Sequence, residues 1–324
     1  MAASKTALII GISGQDGSYL AASLVAKGYT VHGTSRDKEL ANFANLRALG
    51  VYDRVRLHSA TVTDFRSVVQ VIRETQPGEI YNLSAQSSVG LSFTQPVETL
   101  DSVIFGTVNL LEAMRFLGAD IRYYSASSSE CFGVTPESGA VENTAFAPRS
   151  PYSIAKASAH WIVANYREAY GLHACSGLLF NHESPLRPSR YVTQKIVRGA
   201  VAIAQHREEK LSLGNLDIAR DWGWAPEFVE AMWRMLQQPT PDDLVIATGR
   251  PATLREFTAR AFAQVGLDWE KYVEIDQALL RPVDLDFSCG NASRARERLG
   301  WQATIAWDGV VDRLIDAELA RLKA

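Results

Sequence analysis

Two rhythms of apolar and polar positions alternate along the first half of this chain. Short segments at 7–11, 29–33, 54–58, 79–83 and 173–180, together with a run ending at Tyr124, have the length and bounding turn residues of strands. The 7–11 run is apolar throughout, as in a strand buried on both faces of a parallel sheet. Between these runs lie segments with helical spacing at 19–27, 43–49, 64–75, 101–117 and about 151–170. Asp64 is placed to cap the 64–75 helix, and the 101–117 segment has apolar residues at 103, 104, 108, 110, 111 and 114. Strand and helix in alternation predict an α/β fold, a Rossmann-type doubly wound parallel sheet, over residues 1–180. Beyond that the rhythm changes. A helix at 191–207 and short helices at 227–237, 254–265 and 293–299 surround a polar, aromatic loop at 214–224 and an irregular, lid-like loop at 280–286. Residues 181–324 therefore read mainly as a smaller C-terminal domain, interleaved with the first because some of its segments return to it.

Composition narrows the function. With 47% hydrophobic residues in 324, the chain has ample core, and a net charge of −3 gives no reason to expect nucleic acid or an anionic membrane as partner. No apolar run approaches the ~18 residues of a membrane span. The three cysteines, Cys131, Cys175 and Cys289, are unevenly spaced and lack metal-ligand neighbours. That pattern suits reduced thiols in the cytoplasm, with neither a disulfide frame nor a metal site. The opening M-A-A-S-K-T leads straight into a strand without a signal peptide, in keeping with a cytoplasmic protein.

Candidate chemistry clusters where strands should end. After the first strand come Gly11, Ile12, Ser13, Gly14, Gln15, Asp16 and Gly17, then a helix and a second strand. Glycines in that context let backbone approach a pyrophosphate seated on the helix N-terminus. The second strand leaves through Arg36, Asp37 and Lys38, and its two cations favour the 2′-phosphate of NADP over the ribose of NAD. Leu83, Ser84, Ala85, Gln86 and Ser87 follow the fourth strand, at the edge where open α/β sheets bind ligands. Tyr152 and Lys156 stand at i and i+4, so they share one helix face. A phenol titrates near ~10, and an ammonium one turn away is expected to lower that value and make Tyr152 a usable base. Upstream, Ser128 and Glu130 fall on one side of the segment after the Tyr124 strand. One hydroxyl, one carboxylate and one activated phenol point to oxidation combined with proton abstraction. Arg187, Lys195, Arg220 and Arg281 are four cations suited to a diphosphate. The long helices at 101–117 and 151–170 are candidates for the face of a dimer.

The longer motifs carry a family resemblance. G-I-S-G-Q-D-G-S-Y-L, Y-N-L-S-A-Q-S-S-V, S-A-S-S-S-E, P-R-S-P-Y-S-I-A-K, F-N-H-E-S-P-L-R, G-N-L-D-I-A-R-D-W-G and R-P-V-D-L-D span nearly the whole chain. The sequence resembles the extended short-chain dehydrogenase/reductases and, within them, the GDP-mannose 4,6-dehydratases. That resemblance implies an NADP-binding domain, a smaller nucleotide-sugar domain, and conversion of GDP-mannose to the 4-keto-6-deoxy sugar with the cofactor regenerated in each turnover. It gives Ser128 a hydrogen bond to the sugar O4, Glu130 the roles of base at C5 and acid at the C6 hydroxyl, Tyr152 the role of base at O4, and Lys156 those of its activator and nicotinamide-ribose ligand. It assigns Gly11 through Asp16, Leu83 through Ser87, His182 and Arg187 to the cofactor, and Asn181, Lys195, Asn215, Arg220, Arg281 and Asp284 to the nucleotide sugar.

The chain also departs from the family pattern. Ser-Arg36-Asp37-Lys38 replaces a run of two Arg and two Ser that also contacts a neighbouring subunit's cofactor in tetrameric members, so a homodimer is the first expectation and a tetramer the second. Thr61 and Val62 stand where an Asp-Leu pair lies near the adenine. Ser88 replaces a common His near the sugar, Pro188 a Gly and Gln194 an Arg. These changes leave room for the same chemistry on another nucleotide sugar, such as a GDP-heptose. A 4-epimerase or 4-keto reductase of the same superfamily needs Ser, Tyr and Lys but not the carboxylate, so Glu130 argues against it. A non-enzymatic NADP-binding scaffold should have lost Tyr152 or Lys156, and both are present.

Overall fold

The computed structural model describes residues 5–323. The first part builds β1 (Thr6–Ile10), α1 (Gln15–Ala26), β2 (Thr30–Ser35), α2 (Ala44–Ala48), β3 (Val55–Ser59), α3 (Phe65–Thr75), β4 (Glu79–Asn82), α4 (Val89–Thr94), α5 (Pro96–Leu100), α6 (Gly106–Leu117), β5 (Arg122–Ala126), α7 (Pro151–Tyr170) and β6 (Ala174–Leu179). There follow β7 (Asn181–Glu183), α8 (Val192–Ala204), β8 (Leu211–Leu213), β9 (Ala219–Trp224), α9 (Ala225–Gln237), β10 (Leu244–Ile246), β11 (Pro251–Thr253), α10 (Leu254–Gln264), β12 (Val273–Ile275), β13 (Phe287–Ser288), α11 (Ser293–Leu299) and α12 (Trp307–Arg321).

Seven strands form one sheet in the order β10-β6-β5-β4-β1-β2-β3, and every pairing within it is parallel. The order reverses between β1 and β4, so the crevice for a ligand opens above their carboxyl ends. One face of the sheet is covered by α1, α9 and α11, through Leu20, Leu24, Phe228, Met232, Met235 and Leu299. The other is covered by α3, α6 and α7, through Val68, Ile72, Leu110, Met114 and Val163. A separate core of Ile196, Val197, Trp222, Phe257, Phe262, Val311 and Leu314 joins α8, α10, α12 and β9. Both cores are built as the alternating pattern requires, because each helix turns an apolar stripe inward.

Two sequence expectations need correction. The 214–224 stretch is not a loop throughout, since its second half is β9, which pairs with β7, β11 and β13. Its charges hid the strand because their partners are internal. Asp221 is fully buried and accepts from Thr248 N (3.0 Å), Thr248 Oγ1 (2.6 Å) and Gly249 N (2.8 Å), which offsets part of the cost of a buried carboxylate. Nor is 101–117 one regular α-helix. Residues 101–105 form a π-helical turn between α5 and α6. The wider turn sets Val103 against Ala155 and Ala159 of α7, while Leu110, Leu111 and Met114 stay in the core beneath the sheet.

Candidate active site

The crevice is a cleft of about 610 Å³ running from the β1–α1 turn to the β8–β9 segment. Gly11 has φ +85°, and a Cβ there would lie 2.9 Å from Leu83 O; a Cβ at Gly17 would collide with Gly11 O. Those two glycines are demanded by packing. At Gly14 a Cβ would meet only Gly11 O, at 3.5 Å. Gly14 is also the N-cap of α1, and no side chain caps that helix. The first-turn amides of α1 are thus offered to an anion beside a position kept open by glycine.

Helix α7 begins with a reciprocal cap between Ser150 and Ser153 and with Pro151 at its first turn, which fixes the start of the helix one residue before Tyr152. Tyr152 and Lys156 are 7% and 9% exposed and face the cleft. Lys156 Nζ donates to Ala126 O (2.8 Å) and lies 5.8 Å from the Tyr152 ring centroid. Ser128 caps the turn after β5 by accepting from Glu130 N (3.3 Å), which brings Ser128 and Glu130 into the same cleft.

The expectation that Lys156 lowers Tyr152 does not hold for the polypeptide alone. Burial drives the Tyr152 phenol well above its ordinary value, with only the Ser128 hydroxyl working in the opposite direction. Burial likewise brings Lys156 down to about 8. Desolvation penalises both charged forms more than their separation and the Ala126 bond can offset. Glu130 is also raised by burial, against the pull of Arg220 and Arg281. A carboxyl held above its usual range is suited to give as well as take a proton near neutrality.

His182 donates from Nδ1 to Phe180 O (2.7 Å) and from Nε2 to Asp16 Oδ2 (2.9 Å). Oxygen atoms face both ring nitrogens; Asp16 raises the ring against the effect of burial, and Asp16 is lowered in turn. Gln15 extends the network, donating to His182 O (3.2 Å) and accepting from Ser184 Oγ (2.7 Å). Arg187 lines the cleft with its Nε buried and unbonded, 3.5 Å from Glu183. Arg220 donates to Leu285 O (2.6 Å) and Asp284 Oδ1 (2.8 Å), and Arg281 reaches the same carboxylate at 3.3 Å.

Most sequence-predicted residues meet here: Gly11, Gly14 through Gly17, Leu83 through Ser88, Ser128, Glu130, Tyr152, Lys156, Asn181, His182, Arg187, Lys195, Arg220 and Arg281 line one cleft. Others stand apart. Ile12 is fully buried core, and Ser13 accepts from Asn45 through its carbonyl (3.0 Å). Asn215 is exposed and turned onto Asp217 N (2.9 Å), while Asp284 acts on the arginines. Arg36, Thr61 and Val62 lie off the cleft, and Val62 packs beside Gly106. Gln194 is buried off the cleft and donates to Ser184 O (2.9 Å). Sequence reasoning missed Arg190 and Tyr191, which also line the cleft; a further cation beside an aromatic in P-L-R-P-S-R-Y was the available signal.

The sheet order and the Ser-Tyr-Lys cleft define a Rossmann-type chain of the short-chain dehydrogenase/reductase class. Solved structures agree on the fold: dTDP-glucose 4,6-dehydratase from Bacillus anthracis in complex with NAD superposes with a TM-score of 0.85 at 20% identity, covering 98% of this chain and 97% of that one. The family model for GDP-mannose 4,6 dehydratase matches residues 8–314. GDP-mannose 4,6 dehydratase 2 of Arabidopsis thaliana is 47% identical, over 98% of this chain and 88% of its own length. The GDP-mannose 4,6-dehydratase of Sinorhizobium fredii is 42% identical, over 98% of each. The chain belongs to the GDP-mannose 4,6-dehydratase family. Among the described residues no helix is long and apolar enough to cross a membrane, and no His, Cys, Asp and Glu group is arranged to hold a metal ion.

Proposed function

We propose that this protein is an NADP-dependent GDP-mannose 4,6-dehydratase, a hydro-lyase yielding GDP-4-keto-6-deoxymannose. The observation that carries the reading is Glu130 in one cleft with Tyr152, Lys156 and Ser128, flanked by Arg220 and Arg281. The cleft suits a dinucleotide: Gly14 is open, the α1 N-terminus is uncapped, and Arg187 Nε, ion-paired with Glu183 at 3.5 Å, is a buried donor that makes no hydrogen bond. A bound oxidised nicotinamide dinucleotide would supply a reversible hydride acceptor and a positive charge. Ser128 holds O4 while Tyr152 takes its proton, and Lys156 steadies the phenolate. Once C4 is a ketone, the C5 proton is acidic; Glu130 removes it and delivers a proton to the departing C6 hydroxyl, and the enone so formed becomes the 4-keto-6-deoxy sugar when the hydride taken from C4 returns to C6 and C5 gains a solvent proton. Incubation with GDP-mannose deuterated at C4 should give product with the label at C6 and solvent hydrogen at C5. Loss of the label to solvent would rule this sequence out. An inert GDP-mannose alongside a reactive GDP-heptose would keep the reaction class and remove the substrate.

The choice of NADP draws support from the loop after β2. Asp37 Oδ1 accepts from the amides of Glu39 (2.9 Å) and Leu40 (3.2 Å), so one carboxylate oxygen is committed to the turn rather than to a ribose. Arg36 and Lys38 remain as cations at the strand end. Arg36→Ala is expected to weaken NADP by about tenfold, the worth of one charge-assisted hydrogen bond, and to leave NAD unchanged in a fluorescence titration. Equal losses for both cofactors would count against the assignment.

A homodimer fits the outer faces of α6 and α7. Phe105, at the end of the π-helical turn before α6, and Ile154 and Trp161 of α7 are exposed, Trp161 by 61%. Two copies crossing these helices would bury those side chains. Trp161→Glu should shift the light-scattering mass from dimer to monomer; a wild-type chain already monomeric at micromolar concentration refutes this.

A further inference from the structure

The segment from β7 to the start of α8 lies across the carboxyl edge of the sheet and is fastened at both ends. At its first end the fastening is the Asp16–His182 ion pair with the Gln15–Ser184 bond, where His182 and Ser184 are buried. At its other end Ser87 Oγ meets the Tyr191 hydroxyl at 2.7 Å, and this bond is exposed to solvent. The two ends differ in what release costs. Separating His182 from Asp16 leaves a buried ring nitrogen and its carboxylate partner unpaired, whereas two exposed hydroxyls exchange each other for water at little cost. Tyr191 also organises the cations beside it, since the Arg187 guanidinium lies 3.9 Å and that of Arg190 5.3 Å from its ring centroid.

We propose that Tyr191 is a positioning residue whose hydroxyl, paired with Ser87, is the releasable closure that keeps the dinucleotide seated between departure and return of the hydride. The inference rests on the dehydratase reading, in which cofactor lost in mid-cycle abandons a half-processed sugar. Its ring places Arg187 and its hydroxyl joins the two sides of the cleft, so the two roles are separable by substitution. Tyr191→Phe keeps the ring over Arg187 and removes only the latch; Ser87→Ala removes the opposite half. Release separates only the Tyr191 and Ser87 hydroxyls, since Thr193 Oγ1 on Glu183 (2.8 Å) and Gln194 Nε2 on Ser184 O (2.9 Å) keep the first turn of α8 on β7.

Release of reduced dinucleotide from the full-length protein, followed by stopped-flow fluorescence, tests this. Each single variant should release about fivefold faster, the equivalent of about 1 kcal/mol. The double variant should be no faster than either single, because the two hydroxyls serve one bond. Ser87→Thr, which keeps a hydroxyl, should restore slow release. Unchanged release in the singles, or effects that multiply in the double variant, would overturn the latch while leaving the dehydratase reading intact. A wild-type chain that bound no reduced dinucleotide would overturn both.

Discussion

Glu130→Gln is expected to oxidise its substrate and then stop. Tyr152, Lys156 and Ser128 remain to take the O4 proton, so adding GDP-mannose should produce the near-ultraviolet absorbance of reduced nicotinamide. The amide in place of the carboxyl can neither accept the C5 proton nor donate one to the C6 hydroxyl, and overall turnover should fall by about 10²–10⁴. The isostere keeps the volume at the end of the β5 turn, and the bond from the residue's amide to Ser128 Oγ is made by backbone. Tyr152→Phe, by contrast, should show neither absorbance nor product. Normal turnover by Glu130→Gln would remove the proton-shuttle role and return the carboxyl to a bystander of Arg220.

Lys156→Met should make the cofactor-free protein more stable while abolishing turnover. Lys156 is held at about 8 by burial, so at neutral pH folding carries the cost of an ammonium out of water. Removing that charge, less the lost bond to Ala126 O, should gain on the order of 1–2 kcal/mol, or a few °C in melting temperature. The pH dependence has a definite sign. Below about 8 the folded and unfolded chains both keep the proton and the cost is complete. Between about 8 and 10.4 the folded chain releases it while the unfolded chain retains it, so the native protein gains stability as pH rises. The advantage of Lys156→Met should therefore shrink across that window. An advantage that is absent at neutral pH, or constant through the whole window, contradicts a buried ammonium.

The parts legible in the sequence were those where one local pattern meets one physical demand. Gly11 through Gly17 between an apolar run and a helix specified the β1–α1 turn, and Tyr152 with Lys156 specified a helix face. What escaped depended on distant partners. Arg220 and Asp221 read as loop residues because Leu285, Asp284, Thr248 and Gly249, which satisfy them, are far along the chain. The reversal at Tyr152 had the same origin, since a helical wheel shows Lys156 nearby but not the depth at which both are buried. Helix α12 was overlooked although Val310, Val311, Leu314 and Ile315 carry its period. Tyr191 was read as the start of a helix, and only the fold reveals Ser87 opposite it.

The placement of α9, β10 and α11 constrains how this chain is made. Until α9 emerges from the ribosome, Ile9, Leu24, Tyr81, Tyr124 and Cys175 lack the cover of Phe228, Met232 and Met235, which share their cluster. Strand β6 likewise waits for β10 as its outer neighbour. At about 5–20 residues per second, several seconds pass between synthesis of β6 and of α11, during which the nascent sheet shows an apolar face and an open edge. The first 180 residues are thus a poor candidate for independent expression, and chaperone occupancy should peak before residue 237 clears the exit tunnel. Grafting a different sugar-recognition region onto this scaffold would have to carry the sheet's missing cover with it.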